Sequence, residues 1–272
     1  MSFDSLEKDS EQGLPARAYK FTLGETVWRF VSGDRDLVVG GETWKASAIS
    51  DEGVKLSGDN TVDALTITAS AEIGPARLFR DTPPSLPVHV TIYNYHRADN
   101  QFMVEYVGTI SQVDPIQPGT STITCEMLFA STERDGLRLC WQRACPYALY
   151  DARTCGVNKA AYGVEVDLLT ADNGLATGAA FASKPSGYFN GGFLTWLHPV
   201  RGTEFRAIEE HTADQVKMFG YTDGMYYGLR VTAYPGCNRT PDHCQNRFNN
   251  WGNYGGCPDL DGTNPFDGNP VF

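Results

Sequence analysis

Residues 85–96 read SLPVHVTIYNYH. In an extended chain successive side chains point to opposite faces, so Val88, Val90 and Ile92 share one face. With its β-branched and aromatic residues, this is the pattern of a strand that lays one side on a core. Neighbours on both sides speak the same language. KFTLGETVWRFVS (20–32) and RDLVVGGETWKASAI (35–49) each carry apolar residues about a glycine-containing turn, as hairpins do. VDALTITAS (62–70) alternates, FMVEYVGTISQVD (102–114) is rich in β-branched residues, and STITCEMLFAS (121–131) alternates again. Residues 18–131 therefore read as an antiparallel β domain, with Cys125 in its last strand as a small core residue.

The second half is more broken. YGVEVDLLTADNGLATGAAFAS (162–183) and the stretch 187–220 give short strands between Asp-Asn-Gly and Asn-Gly-Gly turns, and YYGLRVTAYPGC (226–237) gives a last strand ending at Gly236. Beyond it, residues 238–272 read as an Asn/Gly/Pro-rich tail with aromatic anchors. The fold class expected is mainly β. A polar arm over 1–16 precedes a barrel- or sandwich-like antiparallel β domain over 17–135, followed by a turn-rich, mostly β, cysteine-rich domain over 136–272.

A chain of 272 residues buries a full core without staples. Its formal net charge of -11 argues against a broad nucleic-acid or anionic-membrane footprint. No apolar run approaches the ~18 residues of a membrane span. The polar, acidic N-terminus does not resemble an export signal, so the reducing cytoplasm is the default compartment.

Seven cysteines in such a chain point to metal or redox chemistry rather than disulfides. CWQRACPYALYDARTCGVN (140–158) holds Cys140, Cys145 and Cys155, and Cys237, Cys244 and Cys257 form a second group. The second group begins where a strand ends, so an antiparallel sheet would return it to the first. Structural zinc usually draws on knuckles with two to four residues between thiolates. Cys145 and Cys155 enclose nine residues and Cys237 and Cys244 enclose six, spacings that suit the separate corners of a cubane cluster better. Gly156 and Gly236 adjoin two of these cysteines and Pro146 follows a third. A cluster, zinc and unligated thiols all stay open on this ground.

Nucleophilic catalysis finds less support. None of His89, His96, His198, His211 and His243 sits in a local cysteine-peptidase signature, although His243 adjoins Cys244 as a possible supporting donor or substitute ligand. The pairs Glu209/Glu210 and Asp259/Asp261 read as solvent-facing, and neither a phosphate-binding glycine loop nor a metalloprotease helix motif is found.

CPYALYDARTCGVNKA (145–160) and PGCNRTPDHCQNRFNNWGNYGGCP (235–258) together resemble a family of tailed-phage tail-tip proteins. It includes the baseplate hub protein of gene transfer agents and is similar to tail tip protein L of lambda-like phages. The N-terminal hairpins resemble it in softer form. The resemblance implies a structural virion protein, not an enzyme. It would be assembled in the host cytoplasm and act in the tail tip as a homotrimeric ring between the distal tail protein and the central tip or fibre protein, with a tail peptidase as a possible further partner. It also implies a 4Fe-4S cluster on Cys145, Cys155, Cys237 and Cys244. Cys140 and Cys257 depart from the family's motif and stand as reserve ligands. The alternatives are a tail-associated cysteine peptidase or amidase and a zinc-stapled binding module.

Overall fold

The computed structural model describes residues 15–55, 64–80, 82–96, 101–128 and 140–260. These divide into two compact units, one within Met1–Arg134 together with Leu197–Glu204, the other within Asp135–Trp196 and Phe205–Phe272. Both are mainly β. All but the last two residues of the arm expected over 1–16, and the boundary expected between 135 and 136, lie outside the described residues.

The first unit is built on one nine-stranded sheet. Its strands are β1 (Pro15–Leu23), β2 (Thr26–Ser32), β3 (Leu37–Val39), β4 (Glu42–Ser47), β5 (Ile49–Asp51), β6 (Leu65–Ser70), β7 (His89–His96), β8 (Gln101–Gln117) and β9 (Thr120–Met127). Across the sheet the order is β3-β4-β2-β1-β7-β8-β9-β6-β5. The face expected of residues 85–96 is observed: Val88, Val90 and Ile92 are fully buried. They join Tyr19, Phe21 and Leu23 of β1, Ile67 of β6 and Ile123 and Cys125 of β9 in one cluster. One face of strands spread across the sheet meets in a single core, so the sheet curls upon itself. A short helix, α1 (Gly74–Leu78), adds Ala76 and Leu78 to that core.

One pairing departs from the antiparallel expectation. β4 lies between β2 and β3, antiparallel to β3 but parallel to β2, with Phe30 opposite Lys45. This insertion brings Trp44 onto the outer face of the sheet, where it stacks on Phe102 with ring centroids 5.0 Å apart. Trp44, Tyr95, Ala16 and Ala18 form a second small core there. The aromatic burial thus accounts for the parallel step.

Most of a seven-stranded sheet lies in the second unit: β10 (Val164–Asp167), β11 (Thr170–Asp172), β12 (Leu175–Thr177), β13 (Phe193–His198), β14 (Gly202–Thr212), β15 (Gln215–Met218) and β16 (Arg230–Tyr234). Their order is β10-β16-β13-β14-β15-β12-β11. Phe181, Phe189, Leu194, Ile208, Val216 and Val231 are among the residues of its core. Because β10 runs antiparallel to β16, with Val164 opposite Ala233, the start of β10 lies beside the end of β16. The segment that enters β10 and the one that leaves β16 are therefore neighbours, and these carry the cysteines.

Candidate metal centre

The first segment is shaped by local hydrogen bonds. Asp151 accepts from the Thr154 hydroxyl at 2.5 Å, and its backbone carbonyl accepts from the Gly156 N–H at 2.8 Å. The Thr154 bond outweighs desolvation and holds the Asp151 carboxyl below the usual carboxylate range. This tight turn ends on Cys155. Gly156 follows at φ +69°, a left-handed conformation that suits glycine. Val157 then buries beside Cys155 and Phe248, and Asn158 caps the short 3-10 helix Lys159–Ala161 through the Ala160 N–H. Each residue of the Cys-Gly-Val-Asn run thus has its own local task.

On the second segment, Gly236 passes so close to Gly191 that a Cβ there would stand 2.2 Å from the Gly191 carbonyl carbon. Cys237 comes next. The chain then enters α2 (Pro241–Phe248), with Thr240 as N-cap accepting from the His243 N–H, Pro241 in the first turn, and Asn249 in left-handed conformation at the end. The reading of this stretch as an irregular tail is corrected here. Cap, proline and left-handed Asn make a helix of a sequence whose composition favours turns, and Cys244 lies on its buried side.

Cys145, Cys155, Cys237 and Cys244 all line one cavity of about 160 Å³. Its walls include Tyr147, Val157, Phe193, Phe248 and Tyr254. The two segments are joined directly: the Cys145 N–H donates to the Arg239 carbonyl at 3.0 Å, and the Tyr254 hydroxyl donates to the carbonyls of Arg143 (2.6 Å) and Arg239 (3.1 Å).

Nitrogen donors face three of the sulfurs. The Gly255 N–H reaches Cys145 Sγ at 3.4 Å, the Arg239 N–H reaches Cys237 Sγ at 3.3 Å, and the Asn250 amide lies 3.7 Å from Cys155 Sγ. Cys244 Sγ donates to the Asn250 carbonyl at 3.3 Å. Burial pushes the Cys237 thiol up in spite of the Arg239 N–H, and burial together with the neighbouring thiols pushes Cys244 up. A bound metal would reverse that, since a coordinating thiol is deprotonated outright.

Among the described residues no three His, Cys, Asp or Glu side chains converge closely enough to hold one metal ion. The four cysteines line one space. Thiolates select soft centres, zinc or iron–sulfur, and four of them with N–H groups aimed at sulfur suit such a donor set.

The remaining candidates are placed elsewhere. Cys125 lies in the first unit's core, and burial pushes its thiol up to about 12. Cys140 and Cys257 line a different cavity. His243 belongs to α2 instead of a loop, and its Nδ1 accepts from the Asn238 N–H at 3.0 Å. Among the described residues no histidine lines the four-cysteine cavity. Glu209, Glu210 and Asp259 are exposed, while Asp261 is outside the described residues. Asn250 and Tyr254 lie within the Phe-Asn-Asn and Tyr-Gly-Gly runs of the motif, which gave no hint of their contacts. Gly191 and Phe193 carried no signal beyond a turn.

Residues 6–158, more than half the chain, match the family described as baseplate hub protein, N-terminal attachment domain. The chain belongs to this baseplate hub family. Residues 187–264 of the hub chain also match the family described as phage conserved hypothetical protein BR0599. An uncharacterized protein of Xylella fastidiosa (strain 9a5c) is 32% identical over 121 residues, 43% of this chain and 24% of that relative. The chain thus matches about a quarter of the relative's length. A chain of the virion of a native gene transfer agent particle has the same fold, with a TM-score of 0.80 at 20% identity over 99% of this hub and 96% of that chain. The hub is a structural component of the virion, in the tail baseplate.

Proposed function

We propose that this hub forms a homotrimeric ring joining the distal tail protein to the central tip or fibre protein of a long-tailed phage or phage-like particle. Cys145, Cys155, Cys237 and Cys244 hold a 4Fe-4S cluster that fixes its second unit. The observation that supports the cluster is the cavity itself: four cysteines from two segments distant in sequence line one space. When bound, the cluster would supply four thiolate bonds between two segments distant in sequence, which is how a metal contributes to folding. The residues around it set that geometry. Tyr254 and the Cys145 N–H tie the segments together, and Asn250 spans Cys155 and Cys244.

The hub acts by assembly and not by catalysis. A cysteine peptidase needs a base beside its thiol, and the match to a baseplate hub family supports the structural reading over the enzymatic one. Exposed Met103, Val104 and Val107 of β8 offer apolar surface suited to neighbouring copies.

Anaerobic purification followed by iron, acid-labile sulfide and zinc analysis tests the site, and light scattering tests the trimer. About four iron and four sulfide per chain is the expected result. Zinc in their place, or a metal-free cavity thiol that iodoacetamide alkylates at once, would overturn it.

A further inference from the structure

Two cysteines of the second unit are left over from the proposed site, and the fold puts them together. Cys140 and Cys257 line a second cavity of about 250 Å³ with Trp141, Pro146, Tyr147 and Gly255. The Tyr147 side chain lines both this cavity and that of the other four cysteines, standing between the two sets. Residues 255–257 run antiparallel along 142–145. The Cys257 N–H donates to the Gln142 carbonyl at 2.8 Å, a Cβ on Gly256 would stand 2.4 Å from the Arg143 carbonyl oxygen, and the Gly255 N–H reaches Cys145 Sγ. The backbone of Cys257 thus meets the chain two residues from Cys140.

We infer that Cys140 and Cys257 form an intramolecular disulfide when the particle meets an oxidising medium. A disulfide spans Cα separations of up to ~6.8 Å. Both cysteines line one cavity, and Cys140 is an exposed residue outside any helix or strand. Protein made in a reducing cytoplasm keeps both thiols, whereas virion surfaces are among the places where disulfides persist.

The oxidant is a low-molecular-weight disulfide. The exposed Cys140 thiolate attacks one of its sulfurs, forms a mixed disulfide and releases one small thiol. The Cys257 thiolate then attacks the Cys140 sulfur, the protein S–S bond forms and the second small thiol leaves. Two electrons pass to the small disulfide, and the two protons leave the protein for the released thiols. The bond joins the segment ahead of Cys145 to the one after α2, closing a long loop across the second unit. It uses none of the four cavity thiols and does not depend on a cluster.

The test is to purify the full chain anaerobically under reductant, remove the reductant, expose the protein to oxidised glutathione, quench by alkylation and map the peptides. The expected product is a Cys140–Cys257 linked peptide that dithiothreitol removes. It is absent from Cys140→Ser and Cys257→Ser, and in Cys257→Ser a stable glutathione adduct accumulates on Cys140. Should either variant fold poorly, the wild-type map decides alone. A wild-type adduct on Cys140 with Cys257 still alkylatable, or a link from Cys257 to Cys145, would overturn the inference. Iron is assayed on the same sample. A link formed without iron upholds this inference against the cluster, and iron without a link does the reverse.

Discussion

The side-chain amide of Asn250 donates to the backbone carbonyl of Cys155 at 2.6 Å. The backbone of Asn250 meets Cys244 as well, its N–H on the Cys244 carbonyl at 3.1 Å and its carbonyl on the Cys244 thiol at 3.3 Å. One residue therefore ties together a cysteine from each segment. Asn250→Ala keeps the backbone contacts and removes two side-chain bonds, the one given to the Cys155 carbonyl and the one accepted from the Asn253 amide (2.8 Å), at a cost of about 1–2 kcal/mol in stability. Iron and sulfide content of the variant is expected to fall several-fold, with a thermal melt only slightly lowered. Full iron loading in Asn250→Ala would show that the amide does not position Cys155.

Gly236 offers a sharper test of geometry, because its backbone rests on that of Gly191. No side chain can move aside there. Gly236→Ala must separate the two strands' ends and shift Cys237, and a cost of about 1–3 kcal/mol is expected by analogy with overpacked cores. Gly252 faces open space and is the control, so Gly252→Ala is expected to be neutral. Denaturant midpoints and iron content measured side by side separate the two.

These two glycines also show what the sequence discloses and what it hides. The strands of the first unit were legible because period-two burial leaves a direct trace, as at Val88, Val90 and Ile92. The closeness of Cys155 to Cys237 was legible too, since antiparallel pairing returns one strand's end to the other's start. The parallel placement of β4 was hidden, because a hairpin's own pattern does not state which neighbour it joins. The helix at Pro241–Phe248 was hidden because Asn and Gly dominate the composition around it, while its signals are a single Thr-Pro-Asp start and one left-handed Asn. The approach of Gly191 to Gly236 leaves no mark in either local pattern.

Cysteine replacements distinguish ligands from packing. Cys145→Ser and Cys237→Ser are expected to lose iron and soluble protein together, since each removes one of the bonds that would join two segments distant in sequence. Cys125→Ser buries a hydroxyl in an apolar strand pair and is expected to cost about 1–3 kcal/mol, with iron loading unchanged. Equal effects at all three positions, read by iron content and soluble yield, would count against the ligand assignment.

In the first unit, acid is expected to act through Asp51. Its carboxylate accepts from Arg17 Nε and Nη2 (3.1 and 2.8 Å), from the Tyr19 hydroxyl (2.6 Å) and from the Gly53 N–H (2.8 Å). Arg17 also pairs with Glu105 and donates to Asn94 at 2.7 Å. Burial opposes ionisation of Asp51, whose side chain is 2% exposed, but these hydrogen bonds outweigh it and hold the carboxyl below its usual range. A depressed folded value means that the unfolded chain binds the proton first as pH falls. The stabilisation is therefore complete above the ordinary carboxylate value of ~3.9 and is lost as pH drops from there through the folded value. Asp51→Asn keeps the shape but loses the charge, so it is expected to cost about 1.5–3 kcal/mol at neutral pH. The gap between wild type and variant should narrow below about pH 4. Denaturant titrations of both proteins at neutral pH and at successive acid steps measure that gap. A difference that stays constant with pH would remove Asp51 as the acid-labile link between β1 and β5.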